Sequence, residues 1–265
     1  MTTPSPASAP TPTPPPADAL AHSFNSAAAQ YAANRPSYPP ALLDAIEELS
    51  GRPLTGARAA DIGAGTGIAT ALLRERGADV IAVEPGERMA AEFRRALPDV
   101  PLVRAIGDQL PLLDTSVDLV TYAQSWYWTD PARSLPEALR VLCPGGALAL
   151  WWNTDALDID WIAEQSTRVH RVFGRDAAAE LRRIIGNTTN TPTTPDFTRR
   201  RVRWSRRVPL DTHLANLGSH SVVLVADEQT RTTFLTEERA HLLTHFPNGE
   251  IEETYDVELL LATHP

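Results

Sequence analysis

The pattern of apolar and polar residues predicts a polar tail followed by alternating helices and strands. Residues 1–19 are mostly Pro, Thr, Ser and Ala, and such a segment buries too little apolar surface to offset the entropy of ordering. We therefore expect it to be disordered. Phe24, Ala28 and Tyr31 then recur at helical spacing and predict a first helix, which the proline-rich run 34–40 ends. A second helix is predicted from Ala41 to Leu49.

The central part of the chain alternates strand-like and helix-like segments. The predicted strands are Ala57–Ile62, Asp79–Glu84, Pro101–Ala105, Val117–Ala123 and Ala147–Trp152, and the helices between them are Ile68–Arg76, Glu87–Leu97 and Ala132–Leu142. Such alternation requires right-handed crossovers and a parallel sheet. We predict an α/β fold with a doubly wound sheet, whose ligands bind beyond the carboxyl ends of the strands.

An insertion of about 153–195 follows the fifth predicted strand. One apolar stripe at helical spacing predicts a helix, a shorter helix is predicted from Asp176 to Ile185, and a loop rich in Thr, Asn and Pro comes next. The stripe consists of Ile159, Ile162, Val169 and Phe173. Its place beside the strand ends allows two interpretations: a cap over a substrate, or a helical pair that only packs on the sheet.

The last part of the chain contains a strand with arginines on one face. In Phe197–Pro209, Val202, Trp204 and Val208 alternate with Arg199, Arg201, Arg203 and Arg207, while Arg200 and Arg206 fall on the apolar face. A nucleic-acid strip and a solvated arginine face both fit, and the net charge of −9 favours the solvated face. Helices at Leu210–Leu217 and from Asp227 to about His245, then a strand at Ile251–Ala262, complete the prediction.

The composition permits one large domain, which we assign to residues 20–265, insertion included. The chain has 265 residues, of which 43% are hydrophobic, enough for a full core. It lacks a signal peptide and an apolar run of membrane-spanning length, so we expect a cytoplasmic protein without membrane or nucleic-acid partners. A single cysteine, Cys143, excludes an internal disulfide. His241 and His245 have metal-compatible spacing without an evident third ligand, so no metal is predicted.

A glycine-rich turn between the first predicted strand and its helix is the strongest functional signal. In Asp61-Ile62-Gly63-Ala64-Gly65-Thr66-Gly67, three alternating glycines let the backbone approach a ligand at a helix N-terminus. A P-loop needs a lysine, and the chain has none; a dinucleotide fingerprint needs glycine where Ile68 stands. The pattern D-x-G-x-G-x-G resembles motif I of class I S-adenosylmethionine (SAM) dependent methyltransferases.

Two acidic residues extend this interpretation. Glu84 ends the second predicted strand, where a carboxylate can accept hydrogen bonds from both ribose hydroxyls, a feature that NAD enzymes share. Asp108 lies in Gly107-Asp108-Gln109 after the third predicted strand. Class I methyltransferases of this subtype place an acid there to hold the adenine amino group, with the next backbone N–H at a ring nitrogen.

A wider resemblance is to the UbiE-like "methyltransferase type 11" group of small-molecule enzymes. It covers Phe24 to Trp152 well and rests on Tyr31 to Pro39, Gln124-Ser125-Trp126-Tyr127-Trp128 and Pro144-Gly145-Gly146. It continues more weakly to the C-terminus, where Trp204 and Ser219-His220-Ser221 resemble uncharacterised bacterial members. Tyr127 stands where histidine is common in that subgroup, which puts a histidine base there in doubt. The resemblance implies a seven-stranded, mostly parallel, Rossmann-like sheet and an N-terminal helical lid that contributes Tyr31 and Arg35.

From this resemblance we expect a bacterial enzyme that transfers a methyl group from SAM to a small organic acceptor, by O- or C-methylation, in secondary metabolism. The expected cofactor residues are Tyr31, Arg35, Asp61, Gly63, Ala64, Gly65, Gly67, Glu84, Pro85, Met89, Gly107, Asp108, Gln109, Gln124 and Ser125. The expected acceptor residues are Trp126, Tyr127, Trp128 and His220, with Tyr127 and His220 as the candidates for a catalytic base. A protein of this fold that binds SAM without methyl transfer, and an NAD(P) dehydrogenase, are the competing interpretations.

Overall fold

The computed structural model describes residues 28–189 and 195–265. The tail at 1–19, Phe24, and residues 190–194 of the loop rich in Thr, Asn and Pro lie outside this part of the chain. Predictions made for those residues therefore stay predictions.

Within the described residues, seven strands form one sheet in the order β3-β2-β1-β4-β5-β7-β6. The strands β1 to β5 run parallel, while β7 pairs antiparallel with both β5 and β6. This arrangement confirms the predicted doubly wound, mostly parallel sheet. The strands are β1 Arg58–Ile62, β2 Asp79–Val83, β3 Leu102–Val103, β4 Val117–Ala123, β5 Leu142–Asp155, β6 Thr198–Pro209 and β7 Glu250–Thr263.

Helices cover both faces of the sheet and its carboxyl end. In chain order they are α1 Ala28–Asn34, α2 Pro40–Ser50, α3 Ile68–Glu75, α4 Glu87–Ala96, α5 Pro131–Val141, α6 Asp160–Phe173, α7 Ala177–Thr189, α8 Leu210–Gly218, α9 Ser221–Leu224 and α10 Glu228–His245, with a 3-10 turn at Trp126–Trp128. The prediction missed α9, which has four residues, and ended α7 too early at Ile185. Among the described residues, no helix has the length and apolar character needed to cross a bilayer.

The sheet separates two apolar cores. On one face, α2 and α3 bury Leu42, Ile46 and Leu73 against β-strand residues that include Trp151. On the other face, α5 buries Leu135 against a cluster that also holds residues of β4, β5 and α7. Apolar residues therefore continue through β1, β4 and β5, as expected for strands covered on both sides.

The arginines predicted to form a solvated face of β6 are exposed, and they are also ion-paired. Arg201 and Arg203 lie opposite Glu258 and Asp256 of β7, and their Nε atoms donate to these carboxylates at 2.7 and 2.8 Å. Glu258 is only 2% exposed. The acids belong to a strand some 50 residues further along the chain, so the pattern of β6 alone could not predict these cross-strand pairs.

Candidate active site

The glycine turn after β1 has the geometry that a closely bound ligand requires. Gly63, Gly65 and Gly67 adopt φ values of 67°, 58° and 94°, in the left-handed region that favours glycine. A Cβ on Gly63 would lie 2.5 Å from Ser125 Cβ, whereas a Cβ on Gly65 would meet nothing within 4 Å. The peptide at Gly65 therefore faces open space at the carboxyl end of β1.

Asp61 lies beneath this turn and does not line the cavity beside it. Its carboxylate is fully buried and accepts hydrogen bonds from the hydroxyls of Thr70 at 2.6 Å and Thr121 at 3.0 Å. Burial raises the pKa of Asp61, against the opposing effect of the two hydroxyls. The expected direct cofactor contact is thus replaced by a structural one, in which Asp61 joins β1 to α3 and β4.

Glu84, just after β2, closes the other side of the turn. Its two carboxylate oxygens accept from the backbone N–H of Gly65 at 2.9 Å and of Gly86 at 2.6 Å. The residue is 7% exposed, and burial raises the pKa of its carboxyl above the ordinary value. A carboxylate oxygen offers more than one lone pair, so both oxygens keep capacity for hydroxyl donors.

Asp108 follows β3 and is fixed by the start of α5. Its Oδ1 accepts from the Ser134 hydroxyl at 2.7 Å and from the Asp130 N–H at 3.1 Å. Gly107 before it is tightly packed, because a Cβ there would lie 3.0 Å from Thr129 Cγ2. These contacts hold the Gly107–Asp108 turn at the cavity edge.

These elements enclose a cavity of about 310 Å³, which we call the cofactor cavity. Eleven predicted cofactor residues line it: Tyr31, Arg35, Gly63, Gly65, Glu84, Pro85, Met89, Gly107, Asp108, Gln124 and Ser125. Four do not: Asp61, Ala64, Gly67 and Gln109. The prediction missed six residues that also line the cavity, although each lies within three residues of a predicted one: Ile62, Gly86, Ile106, Tyr122, Ala123 and Thr129.

A second, smaller chamber of about 140 Å³ opens beside the cofactor cavity, and we call it the acceptor chamber. The helices α6 and α7 supply Ile162, Gln165 and Leu181 to its wall, so the insertion after β5 caps a chamber. The two spaces share wall residues, which are Arg35, Gln124, Tyr127 and Trp128. A ligand in one space would therefore lie next to a ligand in the other.

Several acceptor-chamber residues lacked any local sequence signal. His213 and Asn216 belong to the periodic helix α8, and Arg175 lies in the turn between α6 and α7. The indole Nε1 of Trp152 and Oδ1 of Asn216 are buried without a hydrogen-bond partner among the described residues. These atoms are available to a polar ligand.

Residues 28–38, which we call the lid, contribute Tyr31 and Arg35 to the wall of the cofactor cavity. The Arg35 guanidinium stacks on the Tyr31 ring at 4.5 Å and donates to the Ser219 carbonyl at 3.0 Å. Its Nε is buried without a partner in the described part of the chain. The far end of the lid is anchored by Tyr38, whose ring packs edge-on against Trp151 with centroids 5.8 Å apart.

The turn after β4 is held in a strained conformation. Gln124 has φ of 61°, which is uncommon for a residue with a side chain, and its N–H donates to the Trp151 carbonyl at 2.9 Å. The Ser125 hydroxyl donates to the Ile62 carbonyl at 2.5 Å. The turn is thereby tied to β1 and β5, and it places Gln124 between the two spaces.

Trp126 is a core residue, which corrects its predicted role in the acceptor wall. It is 1% exposed, its ring packs edge-on against Tyr122 at 4.7 Å, and its Nε1–H donates to the Thr188 hydroxyl at 2.8 Å. The aromatic wall between the two spaces consists instead of Tyr127 and Trp128. Trp126 connects the turn after β4 to the last turn of α7.

The electrostatics of Tyr127 and His220 disfavour both as bases. Burial raises the pKa of Tyr127 well above its usual range, so the phenol stays protonated near neutrality. Burial, with the nearby charges of Arg35 and Arg175, holds the pKa of His220 well below its usual value. Because Arg175 Nη1, which only donates, lies 3.3 Å from His220 Nδ1, the neutral ring carries its proton on Nε2. His220 therefore presents a donor.

No group of three or more His, Cys, Asp or Glu side chains with metal-binding geometry occurs in residues 28–189 and 195–265. His241 and His245, the pair with metal-compatible spacing, lie on α10 and outside both spaces.

Several known proteins with similar sequences or structures are described as methyltransferases. Residues 60–150 match a family model described as "Methyltransferase domain". An uncharacterized methyltransferase of Mycobacterium tuberculosis is 38% identical over 223 residues, which cover 84% of this chain and 86% of the relative. A demethylmenaquinone methyltransferase of Beutenbergia cavernae is 40% identical over 106 residues, 40% of this chain and 43% of that protein. A solved structure from Anaeromyxobacter dehalogenans, described as a type II methyltransferase, superposes with a TM-score of 0.70 at 28% identity, covering 86% and 97% of the two chains.

Proposed function

Because this chain belongs to the Methyltransf_11 family of SAM-dependent methyltransferases, we propose that it transfers a methyl group from SAM to a small organic acceptor. The observation that carries the proposal is the pair of adjoining spaces. A cofactor cavity of about 310 Å³ shares the wall of Arg35, Gln124, Tyr127 and Trp128 with a capped chamber of about 140 Å³. The second space provides room for an acceptor beside the cofactor cavity.

The residues of the cofactor cavity fit the chemical groups of SAM. Glu84 would accept from ribose hydroxyls, and Asp108, with Oδ2 still available, would accept from the adenine amino group. The buried and unpartnered Nε of Arg35 is a donor suited to the carboxylate of the methionine moiety. The peptide at Gly65 leaves room for direct backbone contact, since no atom occupies the position of its missing Cβ.

When bound, SAM supplies a methyl group on a positively charged sulfur, and transfer proceeds by in-line displacement. The protein then has to align an acceptor atom with that methyl group and exclude water. Tyr127 and Trp128 form the boundary at which alignment would occur, and α6 and α7 supply part of the chamber wall. Since Tyr127 stays protonated and His220 presents Nε2–H, we infer an acceptor that needs no protein base, such as a carboxylate, an enolate or an acidic phenol attacked at oxygen or carbon.

The size of the acceptor chamber supports a small acceptor. Its volume of about 140 Å³ is close to that of an engineered cavity of about 150 Å³ that binds benzene. The reacting part of the acceptor should therefore be about the size of one six-membered ring. Hydrogen-bonding groups on it can pair with Trp152 Nε1–H, Asn216 Oδ1 and His220 Nε2–H.

The test has two stages. Calorimetry with SAM, S-adenosylhomocysteine and NAD should show binding of the two SAM species and none of NAD; tight NAD binding without a response to SAM would refute the cofactor assignment. The protein is then incubated with SAM and a panel of small carboxylates, enolates and phenols, and S-adenosylhomocysteine is measured. SAM binding without turnover on any acceptor would favour a non-transferring SAM protein.

A further inference from the structure

One arginine of β6 differs from its neighbours in what it contacts. The Arg206 guanidinium donates from Nε to Glu253 Oε2 at 2.6 Å, and its other two nitrogens point at the end of α1. Nη2 donates to the Asn34 carbonyl at 3.0 Å and Nη1 to the Arg35 carbonyl at 3.4 Å. One planar fork thus joins β7, β6 and the lid.

The contacts at the lid satisfy carbonyls that a helix leaves unpaired. The last carbonyls of a helix have no partner within it, and a basic side chain near the end often provides one. The last turn of α1 contains no basic residue. Arg206 of β6 donates to two carbonyls at this helix end, those of Asn34 and Arg35.

Glu253 is a rigid support for this arginine. It is 2% exposed, and its other oxygen, Oε1, accepts from His213 Nδ1 at 2.7 Å. Burial raises the pKa of Glu253, but the hydrogen bond from His213 and the charge of Arg206 outweigh it and hold that pKa below the ordinary value. Glu253 therefore stays ionised, and His213 and Arg206 fix one oxygen each.

The support continues behind His213. His213 Nε2 lies 2.9 Å from Gln165 Nε2, which donates to Glu238 Oε1 at 3.0 Å, and Arg168 donates twice to the same buried carboxylate. This chain of contacts crosses from the cap helix α6 to α10. These contacts therefore connect the end of the lid to the wall of the acceptor chamber, because Glu253, His213 and Gln165 line that chamber.

We propose that Arg206, backed by Glu253 and His213, is a positioning residue that holds the lid over the cofactor cavity. Its effect passes through Arg35 and Tyr31, which line the cavity, while Arg206 itself does not. The consequence for ligand affinity rests on the proposed function, because it assumes that SAM occupies this cavity. The docking of the lid does not depend on that assumption.

The neighbouring pair in the ladder is a matched control. Arg207 and Glu252 are one residue further along β6 and one residue back along β7, and their side chains are 3.4 Å apart and exposed. Arg207→Gln and Glu252→Gln thus remove the same charges from the same strands without touching the lid. These two variants distinguish the effect of undocking the lid from the general effect of removing an arginine or a glutamate.

The experiment measures hydrogen exchange of the full-length protein without ligand, and then SAM affinity and steady-state kinetics. In Arg206→Gln, we expect amides of α1 to exchange faster than in the wild type, with Arg207→Gln unchanged. If the docked fraction of the lid falls to about one tenth, the apparent Kd for SAM rises about tenfold. The KM for SAM should rise in parallel, with a smaller change in kcat.

Two further variants keep the test decisive if Arg206→Gln is unstable. Arg206→Lys keeps a charge beside Glu253 but cannot reach three acceptors in one plane, so it should restore the melting temperature and leave α1 exchange fast. The double variant Arg206→Gln with Glu253→Gln removes both buried charges and should also leave the lid undocked. Recovery of wild-type SAM affinity and α1 protection in the double variant would overturn the proposal, because the arginine would then only neutralise Glu253.

The outcomes also separate this proposal from the function. A wild-type protein that does not bind SAM, with α1 exchange still sensitive to Arg206→Gln, would contradict the proposed function and keep the docking role. SAM binding by the wild type, with identical exchange and affinity in Arg206→Gln and Arg207→Gln, would contradict the docking role alone.

Discussion

Replacement of Glu84 by alanine tests the cofactor cavity most directly. The carboxylate is 7% exposed and already oriented, because Gly65 N–H and Gly86 N–H each donate to one of its oxygens. A bound ribose would add hydroxyl donors to an acceptor that needs no rearrangement. Hydrogen bonds to a charged group contribute about 1.5–3 kcal/mol, which corresponds to a rise in the Kd for SAM of about 10- to 150-fold.

The stability of the unliganded protein should change little in this variant. Burial raises the pKa of Glu84, which means that its ionised carboxylate destabilises the folded state. Alanine removes this unfavourable contribution. Alanine also leaves the N–H groups of Gly65 and Gly86 beside an open cavity that water can enter. We expect a change of at most about 1 kcal/mol, or about 2–4 °C in the melting temperature for a chain of this size.

Titration calorimetry with SAM, run beside circular dichroism melts, measures both quantities. Glu87→Ala is the control, since Glu87 is an exposed acid three residues away at the start of α4. Affinity for the wild type should also fall as the pH is lowered through the raised pKa of Glu84, because the neutral carboxyl is a weaker acceptor. A Kd for Glu84→Ala within twofold of that of Glu87→Ala would show that the ribose binds elsewhere.

Three further substitutions test neighbouring assignments. Tyr127→Phe should lower kcat less than about tenfold, because its phenol stays protonated; a loss of about 10²–10⁴-fold would identify a base. Trp126→Ala should lower the unfolding free energy by about 3–5 kcal/mol through loss of a buried indole. A wild-type melting temperature together with impaired acceptor binding would instead assign Trp126 to the wall of the acceptor chamber. Asp61→Asn should match or exceed the wild-type melting temperature at pH 7. Because the pKa of Asp61 is raised, the wild-type protein gains folding stability as the pH falls through that pKa. The stability advantage of Asp61→Asn over the wild type should therefore shrink in acid. An advantage that does not change with pH would contradict this account.

The sequence was sufficient to predict most of the residues that line the cofactor cavity. Apart from Tyr31 and Arg35 of the lid, the residues that line it lie at strand ends and in the turns that follow them, within a few positions of Gly63, Glu84, Asp108 or Gln124. Parallel strands bring such ends to one edge whatever the details of packing. The motif predicts the residue type at Asp61 but not the direction of its side chain. The hydroxyls of Thr70 and Thr121, which hold its carboxylate away from the cavity, lie 9 and 60 residues further along the chain.

Three predicted acceptor residues, Tyr127, Trp128 and His220, line the acceptor chamber, but most of its wall could not be predicted because the other residues come together only in the folded chain. Glu253 of β7, His213 of α8 and Gln165 of α6 meet at one wall, although each belongs to an element with an ordinary periodic pattern. Arg206 breaks the alternation of β6, because it is a charged residue at a position on the apolar face of the strand. This break in the pattern is the one sequence signal of the contact between β6 and the lid.

In the run Trp126-Tyr127-Trp128, residue type alone could not predict which aromatic side chains line the cavities and which one is in the core. Extended backbone would place Trp126 and Trp128 on the same face, with Tyr127 opposite. The run instead forms a 3-10 turn, which follows the strained backbone of Gln124. Three residues per turn separate successive side chains by about 120°, so Trp126 can face Tyr122 and the core while its two neighbours face the cavities. The same backbone that buries one aromatic residue therefore places the other two in the walls of both cavities.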